Sequence, residues 1–279
     1  MERIVLGYDG SAAAVAALKW TAERRGRSRA KVDVVNVISP MTRDRSLGIE
    51  QLADAETYLR ERAPGMPVEL HRLEGAMPDT LGGFARGVDL IVVGIDPGHL
   101  IRAAFAGLVP LELAMESTVP VCMVPAGWVE TGGPVTVGVA NDASSDSAVA
   151  FAARQARLMS TSVRLAHAWL MPTPAHYGST ALALAPDHEL ERHRVVLDDA
   201  MENLIEGHPS LAVDGELVRD SRAAALLKFA KTSSMLVIGT HHHGPLTGAL
   251  LGSVAQEVLW RADCPVCVVP SDSRRAVLQ

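Results

Sequence analysis

The stretch of the sequence best suited to chemistry is a glycine-rich segment that leads into a helical pattern. It follows the apolar run 235–238, and its glycines are Gly239, Gly244, Gly248 and Gly252. Ser253 comes next, and Gln256 three residues later gives the spacing of a capping box, which predicts the start of a helix. Unpaired N–H groups and the positive dipole end of a helix suit an anion such as phosphate. The alternative is that these glycines only form a tight turn.

The same layout occurs earlier in the chain, at residues 89–125. Its Gly94 and Gly107 lie 145 positions before Gly239 and Gly252. Near the amino ends of the two copies the offset is smaller, since Gly7 and Gly138 are 131 positions apart. The difference predicts an insertion of 14 residues in the second copy, within the Pro- and Ala-rich stretch 171–186. A long internal repeat of this kind indicates two homologous domains in tandem.

The elements that position the glycine loops are short apolar runs alternating with helical patterns. Runs rich in Val and Ile predict buried parallel strands, and their alternation with helices predicts an α/β fold with helices on both faces of the sheet. The predicted strands are 3–8, 31–37, 68–73, 89–94 and 121–124 in the first half, and 135–140, 163–169, 211–219, 235–238 and 265–269 in the second.

Both halves resemble a universal stress protein domain, and the whole chain resembles a tandem member of that family. The family signature after strand four is a glycine, two residues, a glycine, nine residues, then glycine and serine or threonine. The second half has Gly239, His242, Gly252 and Ser253 at these positions, and the first half has the family's strand-one aspartate as Asp9. The resemblance implies two doubly wound domains, each with a five-stranded, mostly parallel sheet in the order 3-2-1-4-5.

The resemblance also implies a ligand, ATP or another adenine nucleotide. In the implied strand order, strands one and four are neighbours, and ligands bind where the order of a doubly wound sheet reverses. The aspartate would hold the adenosine end, and the glycine loop and hydroxyl would hold the phosphates. The candidate nucleotide-binding residues are Asp9, Val37, Gly94, Gly98 and Gly107 in the first half, and Gly239, His242, Gly244, Gly252, Ser253 and Val254 in the second.

Each half departs from the signature at a different end. In the first half, Pro97 replaces the second glycine and Leu108 replaces the serine, so a backbone donor and a hydroxyl are lost. In the second half, Ala140 replaces the aspartate, although Asn141 or Asp142 could reach in from the same loop. His242 replaces a glycine, where its side chain could crowd the phosphates or, when protonated, pair with one. The expectation is therefore one site with an intact adenosine end and one with a better preserved phosphate loop.

The resemblance implies a non-catalytic stress-response protein that acts through ligand- or partner-dependent regulation. Two alternatives remain: an interaction module that has lost nucleotide binding, and a slow nucleotide hydrolase. The G-x4-G spacing of Gly239 and Gly244 is not followed by the Lys-Ser/Thr of a phosphate-binding loop. No metal site is predicted, because the adjacent histidines at 241–243 do not converge readily on one ion. The Cys264-x-x-Cys267 pair opens a strand, which favours packing over redox chemistry.

Composition and charge narrow the class of partner. The chain has 279 residues and a net charge of −6, which disfavours nucleic acid or an anionic membrane surface as the main partner. Its start and its three cysteines fit a cytoplasmic protein. The predicted organisation is a first domain over 1–126, a linker over 127–134, a second domain over 135–270 and a tail over 271–279. The two halves are expected to pair through their fifth strands, with a homodimer as a further possibility.

Overall fold

The computed structural model describes six parts of the chain, and all structural statements below refer to them. They are residues 1–24, 30–39, 46–96, 109–170, 186–240 and 252–271. The predicted insertion and most of the predicted tail therefore lie outside the described residues.

The first half alternates strands and helices as its sequence pattern predicts. Its elements are β1 (Glu2–Gly7), α1 (Ala12–Glu23), β2 (Ala30–Ile38), α2 (Leu47–Arg62), β3 (Val68–Glu74), α3 (Asp79–Phe84), β4 (Leu90–Ile95), α4 (Val109–Glu116) and β5 (Val121–Pro125). The central strands β1, β2 and β4 are almost entirely buried, as continuous Val- and Ile-rich runs predict.

The second half repeats this order. Its elements are β6 (Val135–Val139), α5 (Ala143–Met159), β7 (Val163–Trp169), α6 (Pro186–Gly207), β8 (Val213–Arg219), α7 (Arg222–Ala230), β9 (Met235–Thr240), α8 (Ser253–Arg261) and β10 (Val266–Pro270). Helix α6 has 22 residues, against 16 in its counterpart α2.

All of these strands belong to one sheet in the order β3-β2-β1-β4-β5-β10-β9-β6-β7-β8. Within each half the strands are parallel and follow the order 3-2-1-4-5, which confirms the predicted fold class. Helices α1, α2, α5 and α6 cover one face, and α3, α4, α7 and α8 cover the other. Each face carries an apolar core that runs through both halves.

The two halves meet where β5 and β10 pair antiparallel. Cys122 lies opposite Cys267, its own counterpart in the repeat, so the local twofold relation of the halves passes between these two residues. Both thiols are buried and free, and burial raises their pKa well above the ordinary value. Burial likewise raises the pKa of Cys264 to about 12. These cysteines pack in the core, and their thiolates are strongly disfavoured.

A buried polar cluster crosses the same seam. Arg24 follows α1, and its Nη2 donates to both carboxylate oxygens of Glu2, at 3.0 and 2.8 Å, and to Gln155 Oε1 at 2.5 Å. Gln155 in turn donates to Glu2 at 3.0 Å. Burial disfavours the Glu2 carboxylate, but the charge and hydrogen bonds of Arg24 and Gln155 outweigh it and hold its pKa below the ordinary value. The carboxylate therefore stays ionised inside the seam.

Close approach of helix to sheet explains two of the repeated glycines. A Cβ on Gly94 would lie 2.1 Å from the backbone carbon of Ala13, and one on Gly239 would lie 2.3 Å from the carbonyl oxygen of Ser144. Any larger residue would push α1 or α5 away from its strand. The conserved spacing of these glycines in the repeat therefore reflects packing in addition to any role in ligand binding.

One local prediction is wrong. Ser253 is the first residue of α8 and not its N-cap; Gly252 occupies the cap position, and no side chain caps this helix. The capping-box spacing misled because the cap backbone conformation, with a ψ of 148°, is at Gly252, one residue nearer the amino terminus than the spacing predicts.

Candidate functional site

A cavity of about 250 Å³ opens at the carboxyl ends of β1 and β4, where the strand order of the first half reverses. We call it the first crevice. Its lining residues are Gly7, Tyr8, Asp9, Ser11, Ala14, Val35, Val37, Met77, Leu81, Val93, Gly94, Val109, Pro110 and Leu113. This is the place at which doubly wound sheets bind their ligands.

The turn after β1 fixes Asp9 at the mouth of the first crevice. Asp9 Oδ1 accepts a hydrogen bond from the Ser11 N–H at 3.0 Å. Ser11 is the N-cap of α1, and its hydroxyl accepts from the Ala14 N–H at 3.1 Å. Gly10 between them has a φ of +74°, which a residue with a side chain rarely adopts. The Asp9 carboxylate is thereby held in the opening, where it can accept from an amino or hydroxyl group of a ligand.

A second set of hydrogen bonds braces the ends of β1 and β2 behind Asp9. Asn36 Nδ2 donates to the Tyr8 carbonyl at 2.8 Å and to Gln51 Oε1 at 3.0 Å. The Tyr8 ring is buried, and burial together with the charges of Asp54 and Asp9 raises the pKa of its phenol. The tyrosine therefore stays neutral and contributes a rigid wall.

The rest of the first crevice is largely apolar. Val37 and Met77 are half-buried and line it beside the carboxylate. On the β4 side it is closed by the start of α4, where Pro110 has no N–H to donate and Glu112 places a negative charge in the first turn. A flat apolar ring fits this lining better than a polyphosphate does.

Three predicted residues of the first half, Asp9, Val37 and Gly94, line the same cavity. The other two, Gly98 and Gly107, lie outside the described residues. Sequence reasoning did not single out Met77, Val109 or Leu113 as lining residues. Met77 lies three residues after the end of β3, and the carboxyl ends of parallel strands share one edge of the sheet, so its place just beyond a predicted strand was an available signal.

The corresponding end of β6, which we call the second crevice, has different chemistry. Ala140 stands at the position of Asp9, and Ser145 stands at that of Ala14. The Ser145 hydroxyl accepts from the Ala140 N–H at 2.7 Å and donates to the Ala140 carbonyl at 2.8 Å. Both backbone groups at the end of this strand are therefore already satisfied. The carboxylate of this turn belongs to Asp142, which caps α5 and accepts from the Ser144 N–H at 3.1 Å.

A histidine pair replaces the Asn36 bridge in the second half. His167 Nδ1 donates to the Val139 carbonyl at 2.8 Å, the same backbone bond that Asn36 makes in the first half. Its Nε2 lies 2.8 Å from His193 Nδ1 on α6. Burial lowers the pKa of His167, the charges of His193 and Arg222 lower it further, and the bond to Val139 opposes them. The second half thus carries a titratable group where the first has a neutral amide.

The remaining described candidates of the second half lie on two elements. Gly239 lies in β9 against α5, whereas Gly252, Ser253 and Val254 form the start of α8. Gly252 and Ser253 are exposed and Val254 is half-buried. His242 and Gly244 lie outside the described residues.

Fold and site together define a class: a tandem pair of doubly wound α/β domains, with a ligand-sized crevice at the switch point of the first. A family model described as the universal stress protein family matches residues 1–125 and 133–270. The chain belongs to the universal stress protein family.

Similar proteins agree with this assignment over the full length. A universal stress protein of Mycobacterium tuberculosis is 25% identical over 303 residues, covering 96% of this chain and 96% of the relative. One from Mycolicibacterium smegmatis is 24% identical over 287 residues, covering 95% and 96%. The crystal structure of a universal stress protein from Archaeoglobus fulgidus has a TM-score of 0.66 at 18% identity, covering 98% of this chain and 97% of that one. At that identity the last comparison supports the fold alone.

In the described parts of the chain, no helix has both the length and the apolar character that crossing a membrane requires.

Proposed function

We propose that the first crevice binds the adenosine end of an adenine nucleotide and that occupancy regulates partner contacts without chemical turnover. The observation that carries this proposal is the cavity of about 250 Å³, in which Asp9 faces apolar walls that include Val37 and Met77. Ligand pockets are typically apolar with a few fixed polar groups, at about 300–1,000 Å³. The first crevice, at about 250 Å³, lies just below that range, which suits a ligand no larger than a nucleoside.

The phosphates contribute little to affinity in this proposal. Pro110 and Glu112 in the first turn of α4 remove a donor and add a negative charge where a phosphate would approach. Helix α8 has no acidic residue in its first turn, but its half lacks the counterpart of Asp9. Each half thus keeps a different part of the site, and the adenosine part lies in the first half.

A binding role also agrees with the chemistry of the lining. The described residues around the first crevice include no lysine, histidine or cysteine that would act as a base or nucleophile beside Asp9. The ligand is therefore held, and the protein reports its presence through conformation or partner choice.

Isothermal titration of the full chain with adenosine, AMP and ATP tests the proposal. We expect adenosine and ATP to bind within about threefold of each other, because Pro110 donates no N–H to a phosphate and the charge of Glu112 repels it. Asp9→Asn removes a charged acceptor, which is worth about 1.5–3 kcal/mol, so affinity falls roughly 10- to 100-fold. Asp79→Asn, an exposed carboxylate at the start of α3, is the matched control and leaves binding unchanged.

Two outcomes count against the proposal. If neither adenosine nor ATP produces heat with the wild-type chain, the crevice is empty and the interaction-module hypothesis gains support. If ATP binds about 100-fold more tightly than adenosine, the phosphates carry the affinity, which contradicts the proposal. Release of phosphate from ATP that disappears in Asp9→Asn would favour the hydrolase hypothesis.

A further inference from the structure

A carboxylate is buried in the apolar interior of β2, away from the first crevice. The side chain of Asp33 is only 5% exposed and interrupts a run of buried valines on a strand with neighbours on both sides. Burying a carboxylate costs several kcal/mol unless it is paired with a cation or coordinates a metal. The groups around Asp33 must therefore compensate the charge of its carboxylate.

The register of β2 and β3 assembles those groups. Asp33 lies opposite Glu69, and Val35 lies opposite His71. Because side chains alternate along a strand, Glu69 and His71 project from the same face of the sheet as Asp33. His71 Nε2 is 3.1 Å from Asp33 Oδ1 and 3.8 Å from Glu69 Oε2. One nitrogen or oxygen from each of the three residues lies within 4.8 Å of the others.

The imidazole is oriented by packing and not only by the carboxylates. The His71 ring contacts the Phe84 ring of α3, with centroids 4.7 Å apart. This contact directs Nε2 toward the two acids. Exposure rises from Asp33 at 5% through His71 at 27% to Glu69 at 57%, so the three donors lead from the solvent into the core. A cation entering along this line meets its ligands in turn.

At present an ammonium group neutralises part of the charge. Lys31 Nζ lies 2.8 Å from Glu69 Oε1 and 3.7 Å from Asp33 Oδ1. Its long side chain is 24% exposed, so the ammonium can reach solvent once another cation takes over the two carboxylates. The Lys31 ammonium therefore lies where a metal ion would bind, and the two cations would compete for the same carboxylates.

In the second half, the position equivalent to Asp33 carries a positive charge. Arg164 takes the position of Asp33, opposite Asp214 on β8. Its Nε is 3.6 Å from Asp214, and its guanidinium lies 5.0 Å from the ring of Phe229, the counterpart of Phe84. A fixed cation there needs no metal. The first half has instead a buried anion, with an imidazole directed at two carboxylates.

We infer that Asp33, Glu69 and His71 bind a divalent transition-metal ion of the Zn²⁺ type, with Lys31 displaced toward solvent. A neutral imidazole and two carboxylates form a donor set that suits Zn²⁺ and balances its charge, and they leave a coordination position for water. The ion would fasten the edge strand β3 to β2. This inference departs from the sequence-based expectation, which considered only the histidines at 241–243.

Titration of the metal-free full chain with Zn²⁺ by calorimetry, and with Co²⁺ by visible absorption, tests the inference. We expect His71→Gln and Asp33→Asn to weaken one binding event at least about tenfold, since even loss of an outer-shell partner has an effect of that size. The matched control is Asp214→Asn at the equivalent place in the second half, which leaves that event unchanged. Lys31→Met removes the competing ammonium, and the variant is expected to bind Zn²⁺ more tightly than the wild-type chain.

Site-resolved evidence separates this cluster from the other histidines of the chain. Co²⁺ is expected to shift the methyl resonances of Val5 and Val35, which lie beside Asp33 in the sheet, and not those of Val137. Equal Zn²⁺ affinity in His71→Gln and wild type, or no gain in Lys31→Met, would overturn the inference and leave the cluster as an ion-pair network. Circular dichroism of each variant establishes that it is folded. His71→Gln is the decisive variant for metal binding, because the His71 side chain is partly exposed and its replacement disturbs the core less than that of Asp33.

Discussion

The two crevices have the same backbone fold but different side chains at their openings. In the first, the end of β1 presents the Asp9 carboxylate beside a cavity; in the second, the Ser145 hydroxyl satisfies the end of β6 and Ala140 offers no charge. The glycines that let each helix approach its sheet are retained in both. Duplication thus preserved what folding needs, while the chemistry of the two openings diverged.

The largest expected effect is on the free energy of unfolding and concerns the seam between the halves. Two positions that are equivalent in the repeat meet there but carry different residues. Arg24 and Gln155 are 131 positions apart, the offset of the repeat, and they contact each other beside Glu2. The side chains of Arg24 and Glu2 are 4% and 6% exposed. Glu2→Gln leaves the guanidinium without a counter-charge, so the free energy of unfolding should fall by about 3–5 kcal/mol in urea denaturation.

A double-mutant cycle sharpens this prediction. Because Arg24→Met leaves the carboxylate unpaired, it should cost a similar amount, whereas Glu2→Gln with Arg24→Met should cost less than the sum of the two. The pKa of Glu2 is lowered in the folded chain, so its contribution is present above about pH 4.5 and is lost as the pH falls through the folded pKa. Additive effects of the two substitutions would mean that Glu2 and Arg24 are not energetically coupled.

The sequence predicted those features that local pattern determines. Alternating runs gave the strands, and the offsets of glycines such as Gly94 and Gly239 gave the two domains and their equivalence. Contacts that depend on tertiary packing were not predictable in this way. The spacing of Arg24 and Gln155 says nothing about whether they touch, and Asp33 in a valine run gives no indication that His71 lies beside it.

The candidate site was predictable in the same uneven manner. Asp9 and Gly94 come together because Asp9 follows β1 and Gly94 lies near the end of β4, its neighbour in the sheet. The Ser145 bridge was missed because serine next to a helix start is read as a cap, and only the fold shows its hydroxyl on Ala140. The cap at Gly252 was missed because a boundary is the least specified part of a helix.

An engineered second crevice should remove the difference in adenosine binding between the two halves. Ala140→Asp with Ser145→Ala supplies the carboxylate and frees the backbone at the end of β6. We expect a second, weaker adenosine-binding event by calorimetry, because Ala168 offers less apolar contact than its counterpart Val37. Ala140→Asn with Ser145→Ala is the control for charge. If the engineered chain still binds one adenosine, the difference between the halves lies in other residues.

The smallest expected effect is a pH dependence confined to the second half. Burial lowers the pKa of His167, so folding favours its neutral form, and that stabilisation is present above about pH 6.5 and is lost as the pH falls from there toward the folded pKa. In His167→Asn, which copies Asn36, unfolding free energy should decrease less between pH 7 and pH 5.5. His188→Asn, on the exposed side of α6, is the control, and its unfolding free energy should decrease over this pH range by as much as that of the wild type. Equal slopes for all three proteins would contradict this account.

The position and number of bound nucleotides test the difference between the halves most directly. The full chain is irradiated with 8-azidoadenosine at saturating concentration, and the labelled peptides are identified by mass spectrometry. The account predicts one label per chain, on peptides that contain Tyr8 or Met77, and its loss in Asp9→Asn. Two labels per chain, or a single label on peptides from 135–270, would contradict it.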